Sequence, residues 1–254
     1  MNFFKNRNLL PIGHSFIELE SVDSTNNYAM AQASAGAAPH GTLIFAHDQW
    51  AGKGQRGRTW TSKPGENIIL SAVLEPVAMP FSAAFGLSMA VALACHDLFS
   101  LYTDPGSTTI KWPNDLYWND RKAGGILIEN HFKGDKWLYA IAGMGININQ
   151  VEFPPTARNP VSLRQITGKS FESLQLAREL GAFLDGRYSE WETGSGDHLQ
   201  QYNRRLYGRN RDVRLKKDNA VFTTHILGVS GQGTLLTRDT LERQFTFGEI
   251  EWII

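Results

Sequence analysis

The chain has 254 residues, 42% of them apolar, with 25 Lys plus Arg against 25 Asp plus Glu. That length buries one substantial core and a small appended domain; the balance excludes a disordered protein and one drawn as a whole to nucleic acid or an anionic membrane. Cys95 is the single cysteine, which leaves no internal disulfide and no thiolate metal site.

Residues 1–8 hold no apolar run long enough for a signal peptide, and with the lone cysteine they point to a cytoplasmic protein. A first strand is expected over residues 15–20. Asp23 or Ser24 then caps a helix that runs to about Gly36, turning the groups at its start outward. Residues 41–47 read as a buried strand. Residues 49–66 are so rich in glycine and arginine that a long loop is expected, of a length seldom found without a function. Residues 67–74 are apolar and β-prone. Residues 82–101, apolar throughout and too short to span a membrane, predict the central packing helix, with Cys95 buried in it. Strands over 108–112, 122–130 and 136–147 complete a mixed sheet with helices packed on one face, an α+β class.

Residues 152–160 form a proline-containing connection, and 173–191 carry helical spacing through Leu174, Leu176, Ala177, Leu180, Phe183 and Leu184. Thr193-Gly194-Ser195-Gly196 ends that helix. After Gly208 the pattern changes to short strands with turns at 217–219, 231–233 and 238–240, the signature of a small antiparallel barrel. The expected division is residues 1–206 and 207–254.

Two stretches carry chemistry. Gly52-Lys53-Gly54-Gln55-Arg56-Gly57 matches the G-x-G-x-x-G dinucleotide fingerprint in letters, with Glu75 near the place of the ribose acid. The match fails in context, because the fingerprint needs a helix to begin at the glycines and Arg58-Thr59-Trp60-Thr61-Ser62-Lys63-Pro64-Gly65 cannot begin one. Gly168-Lys169-Ser170 is no Walker loop, since Leu163 stands at the leading glycine. Open glycine amides beside Lys53, Arg56 and Arg58 fit an anion clamp; a plain surface loop is the alternative. The second stretch, Lys111-Trp112-Pro113-Asn114-Asp115-Leu116 followed by Lys122-Ala123-Gly124-Gly125, gathers cations, an amide, a carboxylate and bare backbone in one strand-turn-strand segment. A separate basic run, Arg204, Arg205, Arg209, Arg211, Arg214, Lys216 and Lys217, would suit a nucleic-acid-binding module, although only Tyr207 is interleaved with it.

Four segments in order, Asp23-Ser24-Thr25-Asn26, residues 49–60, residues 111–125 and Gly143-Met144-Gly145-Ile146-Asn147, resemble the biotin–protein ligases, and with the barrel they account for nearly the whole chain. The resemblance implies the biotinyl/lipoyl ligase-like catalytic domain with a C-terminal Src-homology-3-like barrel. It implies an enzyme that activates biotin with ATP as biotinyl-AMP and transfers it to a lysine of a biotin carboxyl carrier protein domain of a carboxylase or decarboxylase. A lipoate or octanoate ligase of the same superfamily is the alternative.

The implied catalytic residues are Lys122, Asp115 and Arg56. Biotin would meet Ser24, Thr25, Asn26, Gln49, Gly52, Lys53, Gly54, Gln55, Lys122, Gly125, Gly143 and Gly145. ATP would meet Lys53, Arg56, Arg58, Lys111, Trp112, Asn114 and Asn147. Asp115 is either the group that receives the carrier amine or a structural partner of Lys111 or Arg56. Magnesium accompanies ATP, with no acidic pair to mark a protein-built site. Ser24 stands so near the start that no DNA-binding domain is expected before it, so no DNA partner is expected; nor is a membrane. The family contains both monomers and homodimers. Lys53 and Gln55 stand where many relatives carry arginine, and because glutamine cannot pair with an anion as an ion, the adenylate is expected to be held less tightly.

Overall fold

The computed structural model describes residues 10–76 and 79–254; residues 1–8, read above for a signal peptide, lie outside it. Its organising element is β3 (Asn67–Leu74), whose eight residues are all buried, as a strand covered on both faces requires. Side chains alternate along it. Ile68, Leu70, Ala72 and Leu74 enter the main core, while Val73 joins a second cluster on the other face.

Seven strands form the sheet. β1 (Phe16–Val22) and β2 (Leu43–Gln49) are parallel; β2, β3, β7 (Lys136–Asn147), β6 (Arg121–Lys133), β5 (Asp115–Trp118) and β4 (Thr108–Lys111) continue it antiparallel, in the spatial order β1-β2-β3-β7-β6-β5-β4. Helix α2 (Ala84–Ser100) and helix α4 (Ser173–Thr193) pack with each other and the sheet on the main core side. Gly194, left-handed at φ 67°, ends α4 as expected. Helix α1 (Thr25–Ser34) departs from the expected single helical face: Ala29 packs with Ile44, Val73 and Ile141 on the opposite side.

Three short elements escaped the sequence reading. β5 has four residues and opens on an aspartate. Helix α3 (Leu163–Thr167) has five, held by a capping box between Ser162 and Gln165, and helix α5 (His198–Arg204) has seven. None is long enough to show a period. Length does not separate the central helix from a membrane span, since Phe81–Ser100 is long and apolar enough for one at a mean hydropathy of 1.4. Its packing makes it a core helix instead, with Cys95 buried inside it and the thiol pushed well above its usual range by that burial.

The C-terminal strands β8 (Asp212–Lys217), β9 (Ala220–Val229), β10 (Leu235–Arg238), β11 (Glu242–Phe245) and β12 (Glu251–Ile253) form the second sheet, the small SH3-like barrel, in the order β11-β10-β9-β8-β12. Leu215, Ile226, Val229, Leu235 and Phe245 belong to the same apolar cluster as the main core. Trp112 Nε1 donates to Gly233 O at 2.9 Å, and Asn203 exchanges two bonds with the Val229 backbone, at 2.9 and 2.7 Å.

The α2–α4 contact gives a test. A Cβ at Gly86 on α2 would sit 2.3 Å from Trp191 Nε1, whereas one at Gly186 on α4 would meet nothing within 4 Å. Gly186→Ala is expected to stabilise the protein by about 0.5–1 kcal/mol through helix propensity, and Gly86→Ala to destabilise it by about 1–3 kcal/mol through overpacking, both read by urea unfolding.

Candidate active site

The pocket opens on the α1 side of the sheet, among the start of α1, the 50–66 loop and the middle of β6 and β7. Ser24, Thr25, Asn26, Gln49, Lys53, Gly54, Gln55, Asn114, Asp115, Lys122, Gly125, Gly143 and Gly145 line it, together with Trp60, Ile69, Leu70, Ile126, Leu127 and Met144. The four segments read from the sequence therefore meet in one place.

One end is uncharged. Ser24 is the N-cap of α1 by its extended backbone, yet its side chain makes no capping bond; Gln49 Oε1 instead accepts from Thr25 N at 2.9 Å, satisfying one of the helix's orphan amides. Ser24, Thr25 and Asn26 are buried, so they face the pocket rather than bulk water. Asn26 is fixed on both sides of its amide. Ser71 Oγ lies 2.7 Å from its Oδ1, while its Nδ2 donates to Glu129 Oε2 at 2.8 Å and to Leu127 O at 3.3 Å. Gly143 makes room for this amide: a Cβ there would fall 2.3 Å from Asn26 Oδ1.

The loop is a tight hairpin. Lys53 bridges Thr59, Gly54 N donates to Arg58 O at 2.7 Å, and Trp60 N donates to Gly52 O at 2.9 Å around a 3-10 turn at Gln55–Gly57. No α-helix begins at its glycines, only this three-residue turn, which closes the dinucleotide reading. Gly52 serves the protein's own packing, since a Cβ would meet both Gln49 Nε2 and Trp60 O at 2.3 Å. Lys53 Nζ stands 3.9 Å from Glu129 Oε1. Arg56 leaves the pocket: left-handed at φ 56°, it donates from Nη1 to Gly248 O at 3.1 Å, on the second sheet's last loop. Trp60 returns to the pocket floor and lies over bare backbone, within 2.5 Å of where a Gly145 Cβ would be and 3.4 Å of a Gly125 one.

The other end is charged. The β5–β6 pairing slips at Leu116/Tyr117, where Leu116 faces Gly124 but Tyr117 faces Lys122; such a bulge re-aims a side chain. Lys122 Nζ bonds Asp115 Oδ1 at 2.6 Å and stands 6.0 Å from the Trp60 ring centre. The lysine backbone is strapped to the connection before α3, by Lys122 N to Asn159 O at 2.8 Å and Val161 N to Lys122 O at 2.9 Å. Asp115 thus pairs with Lys122, not with Lys111 or Arg56.

Asn114 donates to Ile126 O at 2.6 Å. Besides Arg56 and Arg58, three residues expected at ATP lie outside the pocket lining: Lys111 turns its ammonium to the Tyr117 and Trp252 rings, Trp112 is buried and anchors the second sheet, and the Asn147 Nδ2 donates to Val161 O at 3.1 Å and Lys122 O at 3.3 Å. Arg58 lies along the outer flank of the loop, with Thr59 and Glu129. Burial pushes Lys111 down to about 8, opposed by Asp115 and reinforced by Lys122, Arg58 and Arg158.

The Biotin/lipoate A/B protein ligase family profile matches residues 18–147, just over half the chain. This chain belongs to that family. Among its relatives, the bifunctional ligase/repressor BirA of Escherichia coli strain K12 is 31% identical over 245 residues, covering 94% of this chain and 74% of the relative. The biotin–[acetyl-CoA-carboxylase] ligase of Mycobacterium tuberculosis is 30% identical over 215 residues, covering 82% and 78%. The biotin protein ligase of Aquifex aeolicus, solved with biotin and ATP, shares the fold with a TM-score of 0.76 at 23% identity, covering 94% and 98%. Within this ligase, sequence reasoning did not assign Trp60 to the pocket, nor Ser71 and Glu129 to the bonds that fix Asn26. Trp60 ends the glycine-arginine motif and was legible there; Ser71 sits in an apolar strand and gave no signal.

The Asn26–Gly143 contact makes the uncharged end testable. Gly143→Ala is expected to cost about 1–3 kcal/mol in urea unfolding by overpacking. With Asn26→Ala also present, most of that cost should disappear, a coupling that a double-mutant cycle reads directly.

Proposed function

We propose that this ligase joins biotin to ATP, giving biotinyl-AMP and pyrophosphate, and passes the biotinyl group to one lysine of a biotin carboxyl carrier domain. The observation that carries the reading is one pocket with uncharged hydrogen-bonding groups at one end and a lysine–carboxylate pair at the other. The name of the Mycobacterium tuberculosis relative, a biotin–[acetyl-CoA-carboxylase] ligase, supports it. In this reading residues 1–206 carry the chemistry and 207–254 the small barrel.

A ureido ring is neutral, and in a closed pocket it needs hydrogen bonds rather than counter-ions. Ser24, free of capping, and the Thr25–Gln49 pair would supply them; Asn26, already fixed, shapes the wall. Trp60 would cover the apolar chain. Lys122 would turn from Asp115 toward the incoming anions and neutralise charge as it develops on the α-phosphate. A biotin carboxylate oxygen attacks the α-phosphorus, the bond to pyrophosphate breaks, and the mixed anhydride stays under the loop. The carrier amine then attacks the acyl carbon, AMP leaves with its oxygen, and Asp115 takes the amine proton.

Lys111 and Asn114 would serve the nucleotide side. The described residues offer no cluster of carboxylates for a metal, so magnesium would come with the phosphates and water that hold it. The family description covers lipoate ligases too; the two substrates differ at the ring, where Ser24, Thr25 and Gln49 stand.

The test is biotin-dependent exchange of labelled pyrophosphate into ATP. Wild type is expected to exchange, and Lys122→Ala to lose about 100-fold or more while still folding. Exchange by Lys122→Ala close to the wild-type rate would contradict the role given to this lysine.

A further inference from the structure

Lys111 sits where the main sheet meets the second one, in surroundings unusual for a lysine. Its Nζ lies 5.0 Å from the centre of the Tyr117 ring on β5 and 5.6 Å from that of Trp252 on β12. Its cross-strand partner is Asp115, but that carboxylate is bonded to Lys122 at 2.6 Å. Among the described residues no carboxylate forms an ion pair with Lys111. Two aromatic faces hold the ammonium in its place, and its donors stay available to an arriving anion.

Trp252 is itself held in position. Tyr207 packs edge-on at 5.6 Å between ring centres, and Tyr207 in turn meets Tyr117 at 5.4 Å. The indole N–H of Trp252 is buried with no hydrogen-bond partner. An unpaired buried donor is unfavourable, so what the ring contributes here is its face and not its nitrogen. The neighbouring Glu251 pairs with Arg158, which with Arg58 adds further positive charge near Lys111.

We infer that Trp252 is a positioning residue for the ammonium of Lys111, which makes the last strand of the second sheet part of the triphosphate-binding site. This rests on the nucleotide role given to Lys111 above. A lysine has a long, flexible stem, and confinement between two rings removes much of its freedom before ATP arrives.

The groups facing Lys111 set the sign of a pH effect. Burial lowers it to about 8; Asp115 opposes this, and Lys122, Arg58 and Arg158 add to it. The Tyr117 hydroxyl is pushed up by its own burial and stays neutral there. Arg158 holds Glu251 below its usual range, so that carboxylate stays charged. As pH rises through about 8 the ammonium is lost, and ATP affinity should fall with it.

The experiment is calorimetric measurement of ATP affinity against pH for wild type, Trp252→Leu, Trp252→Phe and Lys111→Met, with biotin affinity measured alongside. Trp252→Leu is expected to weaken ATP about five- to tenfold, leave biotin within about twofold, and move the alkaline fall to higher pH as water reaches the ammonium. Trp252→Phe should retain most of the affinity. In the Lys111→Met background Trp252→Leu should cost ATP nothing further. An equal loss for both ligands, or the same loss without Lys111, would show that Trp252 acts through the fold and would overturn the inference. Should Trp252→Leu fail to fold, Trp252→Phe with and without Lys111→Met decides by the same coupling. A wild type that binds ATP without biotin-dependent exchange counts against the proposed reaction alone; unchanged ATP affinity in Trp252→Leu counts against this inference alone.

Discussion

The pair between Lys122 and Asp115 is the contact on which the site depends. At 2.6 Å, with side chains 29% and 18% exposed, it is too accessible to act as a buried structural bridge and too close to be incidental. An ion pair of this kind contributes little net stability. In the reaction proposed above, its value would lie in storing an ammonium and a carboxylate side by side, each able to change partner when substrate anions or a carrier amine arrive. The fold places them with backbone: the β5–β6 bulge aims Lys122, and the bonds to Asn159 and Val161 fix its main chain from outside the sheet. The Ser162–Gln165 capping box then holds the start of α3 beside that strap.

A second constraint is the face of the sheet. β3 and β7 turn alternate side chains to opposite sides, so that Ser71, Gly143 and Gly145 belong to the pocket face while Leu70, Ala142 and Met144, of which Leu70 and Met144 also border the pocket, pack into the core cluster. Glycine on that face admits other parts of the protein. At Gly143 the guest is Asn26, and at Gly145 it is the ring of Trp60. The pocket is thus lined by side chains that lie where a β-carbon would have stood.

Much of this was legible beforehand. β3 and β7 appear in the sequence with their observed bounds because continuous apolar runs between turn residues admit few other readings. The four motif segments converge as the resemblance implied. Neighbours within a motif were read too generously, however. Lys111 and Trp112 are adjacent, yet the lysine turns toward the Tyr117 and Trp252 rings while the indole is buried and bonded to Gly233. Arg56 looked like part of the clamp because charge can be counted in a sequence; its left-handed backbone, which directs it to Gly248, cannot. Asn147 was expected at adenine or ribose; in the structure its Nδ2 is bonded to the carbonyls of Val161 and Lys122, partners distant in sequence that no motif announces. The placement of α1 was hidden for a different reason: a helix with buried Thr25 and Asn26 has no strong apolar stripe to announce which face it covers.

The most direct test of the account is the intact mass of a biotin carrier domain after incubation with this protein, ATP and magnesium, with biotin and lipoate supplied in separate tubes. One added biotinyl group is expected in the first tube and none in the second, because the uncharged end of the pocket offers hydrogen bonds suited to a neutral ureido ring. Addition of lipoate alone would contradict that assignment, and addition of neither would contradict the proposed reaction itself.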